Sequence, residues 1–178
     1  MIFAYADPPY IGQAKKHYGK HPDYAGDVNH GELIGRLVAE YPDGWALSLS
    51  SVSLQQIAPM CPPGVRIGAW VKPWCSYKPG VNPAYAWEPV IWTGGRKRER
   101  WDDKIRDWIA QNARTNTFDE QGQPFSGAKP KEFCFWIFEL LNMTAEDELH
   151  DIFPGSGAVG RAWEAWKRQP RLPLAMNS

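Results

Sequence analysis

Short apolar stretches that alternate with helix-patterned stretches constrain the fold of this chain most. The first stretch, IFAYA (2–6), stays apolar until Asp7 and two prolines end strand pairing. Residues 30–41 follow with leucines four positions apart, which is the spacing of a helical face. The next three stretches predict a strand, a short helix and a strand: WALSLSS (45–51), SLQQIAP (53–59) and VRIGAWVKP (65–73). This alternation predicts an α/β fold with a mostly parallel sheet flanked by helices.

The second half of the chain continues the pattern around one interruption. AYAWEPVIWTGG (84–95) predicts a strand, KPKEFCFWIFELLNM (129–143) a buried helix, and residues 148–168 a strand, a glycine turn and a helix. Between them the composition changes at RKRER (96–100), where we predict a polar helix followed by a loop. That helix would carry Trp101, Ile105, Trp108 and Ile109. RLPLAM (171–176) predicts at most one edge strand.

Composition limits the classes of protein that fit. With 178 residues, 43% of them hydrophobic, the chain predicts one globular domain. Its formal net charge is zero, so affinity for nucleic acid requires a local basic patch. The three cysteines and four histidines match no zinc spacing, so we expect reduced thiols and no metal. No apolar run is long enough to span a membrane, and we expect a soluble, cytoplasmic protein without a membrane partner.

The glycine-rich segment FPGSGAVG (153–160) contains G-x-G-x-x-G after a predicted strand and at the start of a predicted helix. In that context backbone amides can approach a nucleotide closely. A phosphate-binding P-loop is excluded, because Arg161 and Ala162 occupy the positions of its Lys and Ser/Thr. Taken alone, the motif fits an ordinary glycine turn equally well.

The segment DPPY (7–10) places a carboxylate at the end of the first predicted strand. Alone it also fits a proline turn in which Asp7 accepts a hydrogen bond. Open α/β sheets bind their ligands at the carboxyl ends of their strands. We therefore expect Asp7 and the glycine turn to converge at one edge of the sheet.

Together, ADPPY, the Lys-Pro pair before the apolar helix and DIFPGSGAVG resemble the amino-methyltransferases that use S-adenosylmethionine (SAM) to methylate exocyclic amines in DNA. The order of the motifs resembles the circularly permuted, beta-type arrangement. The resemblance implies a Rossmann-like methyltransferase fold, in which Trp87, Glu88 and Pro89 resemble the strand that supports the base pocket. A mechanism with a nucleophilic thiol is not expected, because no Pro-Cys pair occurs in the chain.

The resemblance implies a catalytic group formed by Asp7, Pro8, Pro9 and Tyr10. An exocyclic amine is a poor nucleophile, and acceptors such as the Asp7 carboxylate and the Pro8 carbonyl would localise its lone pair. The prolines fix the backbone of these acceptors, and Tyr10 would stack on a base flipped out of the duplex. The cofactor-binding residues implied by the resemblance are Asp7, Lys129, Pro130, Asp151, Phe153, Gly155 and Gly157. Family members usually bind the ribose with a later acidic residue, and this chain has none after Glu164.

Two basic segments are candidates for contact with DNA. The first is Lys15, Lys16 and His17 in the loop after DPPY, and the second is Arg96, Lys97, Arg98 and Arg100 in RKRER. Positions 96–114 hold seven basic and four acidic residues, and we predict residues 95–127 as the recognition region. Either basic segment also fits a solvated surface. Since the region is small, sequence selectivity is expected to be loose, or a homodimer partner contributes.

The expected activity is site-specific methylation of adenine N6 in DNA. An aspartate at the first motif position is more typical of the adenine enzymes in the family that this chain resembles. Cytosine N4 methylation, methylation of RNA or nucleotides, and a non-catalytic DNA-binding accessory role stay open as alternatives.

Overall fold

The computed structural model describes residues 1–11, 28–75, 77, 79–113, 117–118, 124–125 and 128–169. Its strands are β1 (Ile2–Ala6), β2 (Gly44–Ser48), β3 (Arg66–Val71), β4 (Trp87–Gly94), β5 (Trp108–Ala110), β6 (Thr117–Phe118), β7 (Pro124–Phe125) and β8 (Glu148–Asp151). Its helices are α1 (His30–Glu40), α2 (Leu54–Ile57), α3 (Lys131–Leu140) and α4 (Ala158–Lys167), and a 3₁₀ turn, Ala58–Met60, extends α2. These elements follow the predicted alternation of strands and helices.

Six of the strands form one sheet in the order β5-β3-β4-β2-β1-β8. The pairs β1–β2, β1–β8 and β3–β5 are parallel, whereas β4 is antiparallel to both of its neighbours. All strands of this sheet except β4 therefore run in the same direction. The prediction of a Rossmann-like, mostly parallel sheet flanked by helices is confirmed. β6 and β7 form a separate antiparallel pair.

Helices cover both faces of the sheet, and β1 supplies residues to each face. Phe3 and Tyr5 pack into the core under α3 and α4, while Ala4 and Ala6 pack into the core under α1. All four are at most 1% exposed. Burying each large apolar side chain contributes about 1.5–3 kcal/mol. Apolar residues of β1 are thus buried on both faces, so the centre of the sheet is fixed from both sides.

The predicted helix carrying Trp101, Ile105, Trp108 and Ile109 is wrong. Trp108–Ala110 forms β5, whose side chains alternate between exposed and half-buried as in an edge strand. A Cβ at position 68 would lie 2.5 Å from the Asp107 carbonyl oxygen, so Gly68 makes room for this strand. The Ala69 amide donates to that same oxygen at 3.0 Å. Pairing with β3 therefore overrides the weak helical pattern.

The predicted edge strand RLPLAM lies outside the described residues. No helix within the described ranges combines the length and apolar character that crossing a bilayer requires.

Candidate functional site

Two carboxylates meet at the edge of the sheet where the parallel strands end. Asp7 directly follows β1, and Asp151 is the last residue of β8. Tyr5 is the register partner of Asp151, and Asp7 lies two residues beyond Tyr5 on the same face of β1. That face is the one covered by α3, so both carboxylates face Lys129, which precedes the first turn of α3.

Lys129 forms an ion pair with Asp7, with 2.5 Å between Nζ and Oδ2. The ammonium is buried, and its side chain is only 7% exposed. Burial lowers the pKa of Lys129, but the charges of Asp7 and Glu88 and the hydrogen bond to Asp7 outweigh it and raise that pKa above its usual value. The other oxygen, Asp7 Oδ1, is buried and accepts no hydrogen bond from any described residue. The ion pair thus fixes a carboxylate that keeps one acceptor atom available.

Asp151 has the most perturbed environment of this edge. Both of its carboxylate oxygens are buried and make no hydrogen bond of normal geometry within the described ranges. The pKa of Asp151 is raised to about 6, mainly by burial and also by the negative charge of Asp7. The nearby Phe153 amide and the positive charge of Lys129 act in the opposite direction and lower this pKa. With Asp7 Oδ1, the edge holds three buried acceptor atoms that make no hydrogen bond of normal geometry with described residues. Such a set fits a ligand that carries positive charge and hydrogen-bond donors.

The glycine turn connects β8 to α4 beside these carboxylates. Gly155 and Gly157 have φ values of 47° and 68°, in the left-handed region that favours glycine. Gly157 caps the start of α4, and its amide donates to the Pro154 carbonyl at 2.7 Å. A Cβ on Gly160, by contrast, would meet no atom within 4 Å. The first two glycines shape the turn, and the third is a helix residue without a steric requirement.

A second group of side chains lies at the same edge, where β4 begins. The Tyr10 hydroxyl donates to Glu88 Oε2 at 2.7 Å, and the Lys72 ammonium is paired with Glu88 Oε1. Pro8, the residue after Asp7, is buried. The resemblance placed Glu88 in a supporting strand, but its contact with Tyr10 was not predicted. The available signal was a lone carboxylate in the otherwise apolar run WEPVIW.

An open cleft of about 350 Å³ lies next to this group. It is lined by Ser51, residues 80–85 and Trp87. Ser51 follows the end of β2 and Trp87 begins β4, so the cleft is at the edge that bears Asp7. Neither Asp7 nor Asp151 lines it. The cleft is thus a neighbour of the carboxylate site rather than part of it.

The structure does not bring the basic run RKRER to this edge. Since β4 is antiparallel, it carries the chain from Glu88 at the site to Gly94, which pairs with Gly44 at the opposite edge. The six steps from residue 88 to residue 94 span about 20 Å at ~3.4 Å per residue. The run that follows β4 therefore begins at the ends of the strands opposite to the ends near Asp7.

Two of the arginines in this run are engaged within the protein. Arg96 pairs with Asp147, whose side chain is 1% exposed, at 2.7 Å. Arg98 donates to the backbone carbonyl of Glu139. Lys97 and Arg100 are exposed. The other predicted contacts with DNA, Lys15, Lys16 and His17, lie outside the described residues.

Comparisons with known proteins give likeness in fold. No family model matches the sequence, and no curated protein matches it either. Among solved structures, the M1.HpyAVI–SAM complex is similar with a TM-score of 0.61 and 16% identity, covering 93% of this chain and 77% of that chain. A second structure of M1.HpyAVI matches with a TM-score of 0.57 and 17% identity, covering 93% of this chain and 76% of that chain. Among the described residues, no group of His, Cys, Asp and Glu is arranged to hold a metal ion.

Proposed function

We propose that this protein is a SAM-dependent methyltransferase that acts on the exocyclic N6 of adenine in DNA. One observation carries the proposal: three buried carboxylate oxygens, Asp7 Oδ1 and both oxygens of Asp151, make no hydrogen bond of normal geometry with described residues. They lie beside a glycine turn at the carboxyl edge of a mostly parallel sheet. The likeness in fold to a SAM-bound DNA methyltransferase supports SAM-dependent methylation of DNA in general.

The residues at this edge fit SAM. SAM carries an ammonium group, a positively charged sulfur and hydroxyl donors, which match the two buried oxygens of Asp151 that make no hydrogen bond of normal geometry with described residues. Asp151, Phe153 and the turn at Gly155 and Gly157 would hold it, next to Lys129 and Pro130. When bound, SAM supplies a methyl group activated by the positive sulfur.

Asp7 would activate the target amine. Its Oδ2 is occupied by Lys129, so Oδ1 is the oxygen that accepts an N–H of the amine. The Pro8 carbonyl would accept the second N–H, and the two bonds localise the nitrogen lone pair. The amine nitrogen must lose one proton when it is methylated. Asp7 Oδ1, which accepts a hydrogen bond from one N–H of the amine, is placed to receive that proton. Pro8 and Pro9 hold this arrangement before the substrate binds.

Tyr10 would hold the target base after it leaves the duplex. Stacking on an aromatic ring offsets part of the cost of flipping, which is a few kcal/mol. Adenine is favoured over cytosine because an A·T pair has fewer hydrogen bonds to break, and because an aspartate begins the motif. The chemistry at cytosine N4 is alike, so the target base is decided by experiment.

DNA remains the proposed partner. Lys15, Lys16 and His17 follow Tyr10 in the chain and are close to the site in sequence. Lys97 and Arg100 would contact phosphates from the opposite ends of the strands, on a long substrate or on DNA held by a second copy of the chain. Arg96 and Arg98 are less suited, since each already donates a hydrogen bond to a group within the protein.

A transfer assay tests this proposal. The protein is incubated with SAM carrying a labelled methyl group and with duplex DNA, single-stranded DNA or RNA in parallel. We expect label in DNA, with no transfer by Asp7→Ala under the same conditions. Label found only in RNA would show that the substrate is RNA and not DNA. Tight binding of DNA without measurable SAM binding or transfer would instead support the accessory role.

A further inference from the structure

Glu88 connects two polar groups at the edge of the site with its two carboxylate oxygens. Oε2 accepts the hydrogen bond from the Tyr10 hydroxyl at 2.7 Å, and Oε1 is paired with Lys72. The side chains of Glu88 and Lys72 are 17% and 18% exposed, so this pair is largely removed from water. Hydrogen bonds to a charged acceptor are stronger than neutral ones, the more so where water is scarce.

Glu88 also belongs electrostatically to the cluster that contains Asp7. The ammonium groups of Lys72 and Lys129 lie 4.6 Å and 5.7 Å from the centre of the Trp70 ring. Two carboxylates, Asp7 and Glu88, balance these two cations around one aromatic side chain. Glu88 is thereby coupled to the cation that orients the carboxylate of Asp7.

We propose that Glu88 is a positioning residue that fixes the ring of Tyr10 for stacking against the target base, with Lys72 as the anchor of Glu88. The inference rests on the proposed methyltransferase function. Tyr10 follows two prolines, which restrict the backbone but do not act on the side-chain torsions of the tyrosine. The hydrogen bond to an anchored carboxylate restricts those torsions before the base arrives. Less ordering entropy is then lost when the base stacks.

A double-mutant cycle tests this role. Tyr10→Phe keeps the ring and removes the hydroxyl, while Glu88→Ala removes the acceptor. We expect each variant to raise the DNA concentration needed for half-maximal transfer by roughly two- to tenfold, the size expected when one side chain has to be ordered on binding. The double variant should be no worse than the weaker-binding single variant, because both changes remove the same contact. Affinity for SAM should not change in any of the three.

The conservative variant and a matched control separate positioning from general damage. Glu88→Gln keeps an acceptor oxygen for Tyr10 and should lie between wild type and Glu88→Ala. Glu132→Ala removes an exposed glutamate from the first turn of α3 and should leave the DNA concentration dependence unchanged. Effects of Tyr10→Phe and Glu88→Ala that multiply in the double variant, or an unaltered DNA requirement in Glu88→Ala, would overturn the inference.

The cycle also stays informative if the wild-type protein transfers no methyl group. That result would remove the proposed function, and the cycle is then measured as the melting temperature of the ligand-free protein. Melting temperatures that are coupled between Tyr10→Phe and Glu88→Ala would support the fixed position of Tyr10. Strictly additive changes would refute it.

Discussion

Asp151→Asn should make the ligand-free protein more stable at the expense of SAM binding. The carboxylate of Asp151 is buried without a hydrogen bond of normal geometry to described residues, and its pKa is raised to about 6. Folding therefore takes up a proton between about pH 4 and 6, and the free energy of unfolding falls as the pH rises through that window. Above pH 6 the penalty for keeping this carboxylate charged is complete.

The expected size follows from the pKa. A rise from the ordinary 3.8 to about 6 corresponds to at most about 3 kcal/mol, at 1.36 kcal/mol for each pH unit. For a chain of 178 residues this is an increase in melting temperature of up to about 6–12 °C. Asn has nearly the same shape as Asp but carries no charge, so the gain should appear at pH 8 and vanish near pH 4.

Thermal unfolding of wild type and Asp151→Asn between pH 4 and 8, with and without SAM, measures this directly. SAM should raise the melting temperature of the wild type at pH 8 and have little effect on the variant, because the ammonium of the ligand neutralises Asp151. A difference between the two proteins that does not change with pH would refute the electrostatic argument. If SAM stabilised both proteins equally, Asp151 would not be part of the SAM-binding site.

Three further changes have distinct expected results. Asp7→Asn should reduce the rate of methyl transfer by at least roughly a hundredfold, the size typical for removing one group that stabilises the transition state. The variant should still bind SAM, as measured by calorimetry. Near-normal turnover would exclude Asp7 as the group that activates the amine. Gly157→Ala should lower the free energy of unfolding, measured by chemical denaturation, by roughly 1–3 kcal/mol, because the φ of this residue is 68°. Gly160→Ala should leave that free energy unchanged or raise it by up to about 1 kcal/mol. Equal effects of the two substitutions would contradict the conclusion that Gly157, and not Gly160, shapes the turn. Replacing Lys97 and Arg100 by Gln should reduce the slope of log affinity for DNA against log salt by about 1 for each phosphate that these side chains neutralise, without changing the melting temperature. Arg96→Ala, by contrast, should lower the melting temperature, because the buried Asp147 carboxylate would keep less compensating charge. An unchanged salt slope would assign Lys97 and Arg100 to the solvated surface.

The strands and helices that have strong local patterns were predictable from the sequence. β1 is apolar from Ile2 to the carboxylate that ends it, and α1 begins after Asn29, whose side chain accepts hydrogen bonds from two amides of the first turn. Periodicity and capping are properties of neighbouring residues, so they can be recognised without the fold. β5 was missed because its pairing depends on Gly68, about forty residues earlier, rather than on its own three residues.

The candidate site was predictable as a set of motifs but not as a network of contacts. The motifs around Asp7 and Gly155 are local, and topology alone places the ends of parallel strands together. The ion pair of Asp7 and Lys129 joins residues 122 positions apart, and the hydrogen bond of Tyr10 and Glu88 joins residues 78 apart. Such contacts depend on strand order and on the antiparallel direction of β4. The same direction explains why RKRER, which follows a site strand in the sequence, begins at the opposite edge.

Mass analysis of nucleosides tests the central claim most directly. Unmethylated DNA is incubated with SAM bearing a deuterated methyl group and with wild type or Asp7→Asn, then digested to nucleosides. The account predicts a deuterated methyl group on adenine N6 with the wild type and a loss of that product with Asp7→Asn. Label on cytosine N4 would change the target base but keep the reaction class. No labelled nucleoside from a wild-type protein that binds both SAM and DNA would contradict the account.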